Sequence, residues 1–200
     1  MPQGLSKIDD FNARLTKASK KCPTITNVEP VLGVGPVPCP VVIIGEAPGS
    51  TETKEGKPFI GRAGALLTEV LEDAFKCSRQ ELYITNVVKL WPNIFTESTG
   101  RFKTRTPTKA EQNYFKKYLL EELAIVKPKA VVVVGKTAYS ALIDDEKSNP
   151  FIPGQWVDGF DGYKVMPVYH PAYLLRNYSK LDEMKKDMKA ALKKVKRFAF

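Results

Sequence analysis

No apolar run in these 200 residues approaches the roughly 18 that a membrane helix needs, so no membrane partner is expected. The opening stretch, MPQGLSKIDDFNARLTKASKK, carries charge throughout and lacks the apolar centre of a secretion signal, which points to a reducing, cytoplasmic interior. Cysteine is scarce. Cys22, Cys39 and Cys77 are odd in number and widely spaced, which argues against a disulfide framework, and no close Cys/His pair marks a zinc site. Histidine occurs once, at His170. Internal repeats and low-complexity tracts are missing too. What remains is ordinary globular composition, 43% hydrophobic and 26% charged, in a chain long enough for one domain with a substantial core. Its one departure is electrostatic. The 31 basic against 22 acidic residues leave a net charge of +9, and a basic surface attracts phosphate backbones through counterion release whatever the base sequence. Charge alone does not identify a nucleic-acid binder; it gains meaning only beside a site.

Along the chain, residues 5–20 read as a helix, followed by a proline-rich extended lead-in to Pro40. From there the pattern alternates. The apolar run Val41–Ile44 reads as a buried strand, and 63–75 as a helix with Leu66, Leu67, Val70, Leu71 and Phe75 on one face. A second strand spans 82–88, and a basic loop runs to Pro107. Thr108, with Glu111 three residues on, opens a helix whose stripe is Phe115, Tyr118, Leu119, Leu123 and Val126. Strands at 130–134 and 164–169 flank a short helix over 137–143. A last helix, roughly 180–197, carries Leu181, Met184, Met188, Leu192 and Val195. This alternation predicts an α/β fold: a single domain over 1–200, with an N-terminal helix and lead-in over 1–40 and an α/β core over 41–200. Its central sheet is expected to be four-stranded and parallel, with helices on both faces. Ligands of such sheets bind at the carboxyl ends of the strands. Four segments qualify: 45–49, 86–90, 135–137 and 170–176.

The first of these, Gly45-Glu-Ala-Pro-Gly49, matches neither a dinucleotide fingerprint nor a P-loop. Glu46 is its odd member: a carboxylate there repels phosphate, yet suits a developing cation or an attacking water. Phe59, in a glycine-flanked loop, is either core or a stacking platform. His170 directly follows the fourth strand, at the same end of the sheet as Glu46 and Asn86, and is open to a structural or a catalytic role.

The stretch GEAPGSTETKEGKPFIGRAGALL at 45–67 closely resembles the first motif of family 4 uracil-DNA glycosylases. The resemblance continues in order through YITNVVK at 83–89, RTPTKAEQ at 105–112, VVVVGKTA at 131–138 and HPAYLLR at 170–176. It implies an enzyme of base excision repair that flips uracil out of DNA and hydrolyses its N-glycosidic bond. Breaking that bond makes a positive sugar and a negative pyrimidine. By the resemblance, the catalytic pair is His170, donating to the pyrimidine O2, and Glu46, acting on the sugar cation or its water. Asn86 would read the uracil edge with its donor and acceptor. Phe59 would stack on the base, and Glu52, with Ala47 nearby, would exclude thymine. DNA, single- or double-stranded, would be the partner of a monomeric protein. Its backbone would meet Lys89, Arg101, Lys103, Arg105 and Arg176, with Trp91, Phe95 and Phe102 interleaved, while Leu174 would fill the hole left by the flipped base.

The resemblance fails at one place. Family 4 enzymes usually hold a [4Fe–4S] cluster on four cysteines, whereas Ser19, Cys22, Leu90 and roughly Phe115 stand at the corresponding positions, so no cofactor and no metal are expected. Two other readings stay open: a DNA-binding module that keeps this fold without catalysis, in replication for instance, and a glycosylase for another modified pyrimidine.

Overall fold

The strand sequences VVIIG and AVVVV leave no polar side chain to face water, so they are stable only when covered on both sides. That is where the computed structural model, which describes residues 3–26, 28–143, 148–177 and 181–200, puts them. Strands β1 (Val41–Gly45), β2 (Tyr83–Asn86), β5 (Ala130–Val134) and β7 (Lys164–Val168) run parallel. The sheet order is β2-β1-β5-β7-β6, where β6 (Val157–Asp158) is a two-residue antiparallel edge. The expected four strands are therefore five. The addition is too short to show any alternation in the sequence.

Period-2 alternation divides the core between the two faces. Val42, Ile44, Val131, Val133 and Val165 point to one side, where they meet α1 (Gln3–Ser19), α4 (Lys109–Val126) and α5 (Lys136–Leu142) through Phe11, Leu15, Phe115, Leu119, Leu123 and Leu142. Val41, Ile43, Val132, Val134 and Met166 point to the other, against α3 (Arg62–Phe75) and α7 (Leu181–Ala199) through Leu67, Leu71, Phe75, Leu192 and Val195. The helical stripes read from the sequence are the buried faces, except that Tyr118 and Leu181 are only partly covered. The Met184 side chain lies outside the described residues.

Three segments to which the sequence pattern assigns no helix or strand are ordered elements. Ser50–Glu55 forms α2 and Pro171–Arg176 forms α6. Within the basic loop, β3 (Asn93–Thr96) and β4 (Arg101–Thr104) pair as an antiparallel hairpin, Phe95 opposite Phe102 and Thr96 opposite Arg101. Its base is fastened to α4. The Glu111 carboxylate accepts from the Thr108 backbone N–H at 2.7 Å while the Thr108 hydroxyl accepts from the Glu111 N–H at 3.2 Å, the expected capping box. The same carboxylate takes both arms of the Arg105 guanidinium, at 2.8 and 2.5 Å, and the Thr24 hydroxyl at 2.7 Å. Burial pushes the Glu111 carboxyl up, but Arg105, Thr24 and Thr108 together outweigh it and hold the pKa at about 2. Among the described residues no helix is long and apolar enough to cross a membrane.

Candidate active site

The carboxyl ends of the parallel strands open onto a cavity of about 640 Å³. Sheet register decides which side chains meet there. Gly45 pairs with Asn86 across β1 and β2, and Ile44 with Val133 across β1 and β5. Glu46, one residue beyond β1, therefore stands beside the turn that follows β5. His170 arrives from the end of β7. All three line the cavity, together with Ala47, Glu52, Phe59, Thr137 and Arg176.

The Glu46 carboxyl is largely buried, and burial pushes its pKa up; the Thr137 hydroxyl, hydrogen-bonded to it, pulls the other way. Asn86 is 2% exposed, and its Oδ1 has no hydrogen-bond partner. A buried amide oxygen left unpaired beside a cavity is an acceptor that only a ligand or water can satisfy. His170 is pinned more fully. Its Nδ1 accepts from the Ala172 backbone N–H at 3.1 Å. A ring nitrogen that accepts a hydrogen bond carries no proton, so the neutral ring keeps its proton on Nε2. Burial, and then the nearby Arg176 charge, push the His170 pKa down, which favours that neutral form.

Two glycines permit the close packing. Gly135 has φ of 89°, and a Cβ there would stand 2.9 Å from the His170 Cβ. A Cβ on Gly45 would lie 2.3 Å from the Phe59 ring and 2.4 Å from Asn86 Oδ1, so this position is what brings ring and amide together. Glu52 has a different setting from a free wall residue: its carboxylate accepts from the backbone N–H groups of Gly49 (3.2 Å), Ile60 (3.1 Å) and Gly61 (2.8 Å). It shapes the cavity by holding the loop that carries Phe59.

The residues expected on DNA separate into distinct groups. Arg101 and Lys103 are exposed on β4, and Arg176 is exposed at the cavity rim. Arg105 reaches the cavity wall, but its guanidinium is committed to Glu111. Lys89 is a correction. It is fully buried, its ammonium 2.6 Å from Glu122 Oε2 and 2.6 Å from the Thr85 hydroxyl, so it cannot touch a phosphate. It neutralises a core carboxylate that also accepts from the Tyr83 hydroxyl at 2.9 Å. Leu174 is the second correction: α6 turns it into the core beside Met166 and Leu192, at 0% exposure, so it is not a free wedge. Beside the exposed Arg176, the large apolar side chain of that helix that meets solvent is Tyr173, 44% exposed and stacked on Tyr169 with centroids 6.3 Å apart. Thr137 and the Ala172 N–H went unassigned in the sequence reading. The segment 135–137 was singled out as a strand end, but only strand register shows that its hydroxyl faces Glu46.

The four positions that the family resemblance assigns to cluster ligands carry only one cysteine. Ser19, Cys22, Leu90 and Phe115 are all buried, and they offer one thiol, one hydroxyl and two hydrocarbon side chains. A [4Fe–4S] cluster needs four thiolates, so these residues do not fit it. No group of three or more His, Cys, Asp or Glu suited to a metal ion occurs among the described residues.

Comparison with known proteins agrees with the geometry. The family model of the uracil DNA glycosylase superfamily matches residues 32–196. The chain is 40% identical over 174 residues to the type-4 uracil-DNA glycosylase of Thermotoga maritima, covering 86% of this chain and 83% of that one. It is 34% identical to the type-4 enzyme of Pyrobaculum aerophilum (87% and 88% covered) and 31% identical to that of Archaeoglobus fulgidus (92% of each). A Methanosarcina acetivorans protein solved by solution NMR shares the fold at a TM-score of 0.50 and 12% identity, over 83% of this chain and 96% of that one. The chain therefore belongs to the uracil-DNA glycosylase superfamily, and within it to the type-4 enzymes.

Proposed function

We propose that this protein excises uracil from DNA by hydrolysing the bond between the base and its sugar, the first step of base excision repair. The observation that carries the reading is the cavity where an unpaired Asn86 amide oxygen, the Nε2–H of His170 and the half-buried Glu46 carboxylate converge. A base turned out of the stack enters the cavity and lies against the Phe59 ring. The Asn86 amide supplies a donor for O4 and an acceptor for N3–H, which uracil matches and cytosine does not. His170, neutral, aims its Nε2–H at O2, where negative charge builds as the glycosidic bond breaks. Glu46, ionised, faces the sugar, where positive charge builds, and orients the attacking water with Thr137 holding the carboxylate in place. Both groups act on charges that exist only as the bond breaks, so they act on rate more than on binding. Phosphates are met by the exposed Arg101 and Lys103 of β4 and by Arg176 at the cavity rim. The four buried positions that cannot supply a cluster are filled by packing, so this chain works without iron.

An oligonucleotide with one uracil, incubated with the protein and then treated with alkali, breaks at that position if the base has been removed. An intact strand would leave a non-catalytic binder of the same fold. Cleavage at another modified pyrimidine but not at uracil would change the substrate and keep the chemistry.

A further inference from the structure

Phe59 is in an unusual backbone state. It has φ of 53°, in the left-handed region that a bulky L-residue avoids, and it is 8% exposed at the cavity wall. Such a conformation persists only where the surroundings over-determine it. Two side chains do so here, from opposite sides. Glu52 accepts from the N–H groups of Ile60 and Gly61, just beyond Phe59. Arg79, twenty positions later in sequence, donates from one guanidinium nitrogen to the Phe59 carbonyl at 2.7 Å and from the other to the Pro58 carbonyl at 2.9 Å. The arginine is itself held by the Thr68 hydroxyl on α3, 2.8 Å away, and by its own backbone N–H, which donates to the Glu72 carboxylate at 2.9 Å. Behind Phe59, α3 approaches so closely that a Cβ on Gly64 would stand 2.1 Å from the Phe59 carbonyl oxygen. Here the guanidinium donates to two consecutive carbonyls. Its fork fits them as it would fit a carboxylate, and a lysine's single ammonium cannot span them with the same fixed geometry.

We infer that Arg79 is a positioning residue for base recognition: by clamping the carbonyls of Pro58 and Phe59 it fixes the strained turn that presents the Phe59 ring to the cavity. The role rests on the reading of that cavity as a base pocket. Arg79 lines none of it and touches no substrate. It acts from the far side of the loop, through Phe59 alone.

The test is a double-mutant cycle on single-turnover excision from a uracil-containing oligonucleotide, using Arg79→Met, Phe59→Ala and their combination. Misplacing a positioned group by an ångström can cost on the order of 100-fold in rate, and Arg79→Met is expected to lose roughly that much in the parent protein. In the Phe59→Ala background the same change should cost less than about threefold, because the ring it serves is gone. Equal losses in both backgrounds would overturn the inference, since a general loss of stability multiplies through. Should Arg79→Met fail to fold, Arg79→Lys takes its place; it keeps the charge and loses the fork. A readout independent of catalysis is fluorine NMR of protein labelled with para-fluorophenylalanine, the Phe59 line being assigned by its loss in Phe59→Leu. The inference requires that line to broaden or divide in the Arg79 variant, and an unchanged sharp line contradicts it. If the parent protein excises no uracil, the functional reading fails, and the fluorine line still decides the clamp.

Discussion

A carboxylic acid sunk in a wall holds its proton longer than one in water, and the Glu46 carboxyl is in that position, with the Thr137 hydroxyl as its one opposing hydrogen bond. In the proposed mechanism the working form of Glu46 is the carboxylate. Excision should therefore fall on the acid side as pH drops through a pKa raised above the ordinary carboxylate range, and hold at higher pH. His170 shifts in the opposite sense: its pKa is lowered by burial and by Arg176, so the ring is already neutral at pH 7 and nothing is lost on going to pH 8. The other charged groups lining the cavity are Glu52, Arg105, Lys136 and Arg176. Thr137→Val removes the bond that lowers the Glu46 pKa, so the acid limb of the rate profile should move to higher pH, and Thr137→Ser should restore it. An acid limb that stays in place in Thr137→Val would separate the hydroxyl from the carboxylate. A plateau that collapses between pH 7 and pH 8 would show that His170 works as the imidazolium.

At the scale of elements, the hairpin and the core beneath it call for different experiments. Arg101 and Lys103 are exposed on β4, whose last residue Thr104 lines the cavity, and each phosphate they neutralise adds about 0.9 to the slope of log affinity against log salt on duplex DNA. Neutralising both should flatten the slope by up to about 1.8; a slope that does not move returns the hairpin to solvent. Lys89 predicts the reverse pattern. Lys89→Met leaves the Glu122 carboxylate buried without its cation, which typically costs about 3–5 kcal/mol of stability, while the salt slope should stay where it was. A flattened slope with unchanged thermal stability would restore Lys89 to the DNA surface. The contrast also shows what the sequence could reveal. β1, β5, α3 and α4 were legible because their apolar periodicity is strong and local. The hairpin was not: its strands are four residues each, and their apolar side chains, Ile94, Phe95 and Phe102, face outward. Lys89 looked like a DNA contact because its partner lies 33 residues away on another element. The wedge role of Leu174 comes from the family resemblance alone, and no linear pattern shows that α6 turns this side chain into the core. In the site, Glu46, Asn86 and His170 sit at strand ends, which a parallel sheet places together; Thr137 and Arg79 act through register and loop packing, which no linear pattern records.

At the scale of the whole molecule, a net charge of +9 accompanies a fold whose strand ends converge on one cavity, in a chain with a single cysteine at the four positions that the family resemblance assigns to a cluster. The purified protein is expected to be colourless, with no stoichiometric iron by metal analysis; a bound iron–sulfur chromophore would mean that Ser19, Cys22, Leu90 and Phe115 do not occupy the cluster's place. The fold would then need a second source of thiolates that the three cysteines, two buried apart in the core, do not offer. The central claim is that Glu46 and His170 do the chemistry and that neither is needed to hold DNA. It is tested most directly by measuring single-turnover excision and DNA affinity side by side for His170→Ala and Glu46→Ala. A donor aimed at developing negative charge is worth about 100- to 1000-fold in rate, so His170→Ala should lose at least that and Glu46→Ala should fall sharply as well, both with affinity close to that of the parent protein. Near-normal excision in both variants, or a loss of rate matched by an equal loss of affinity, would contradict it.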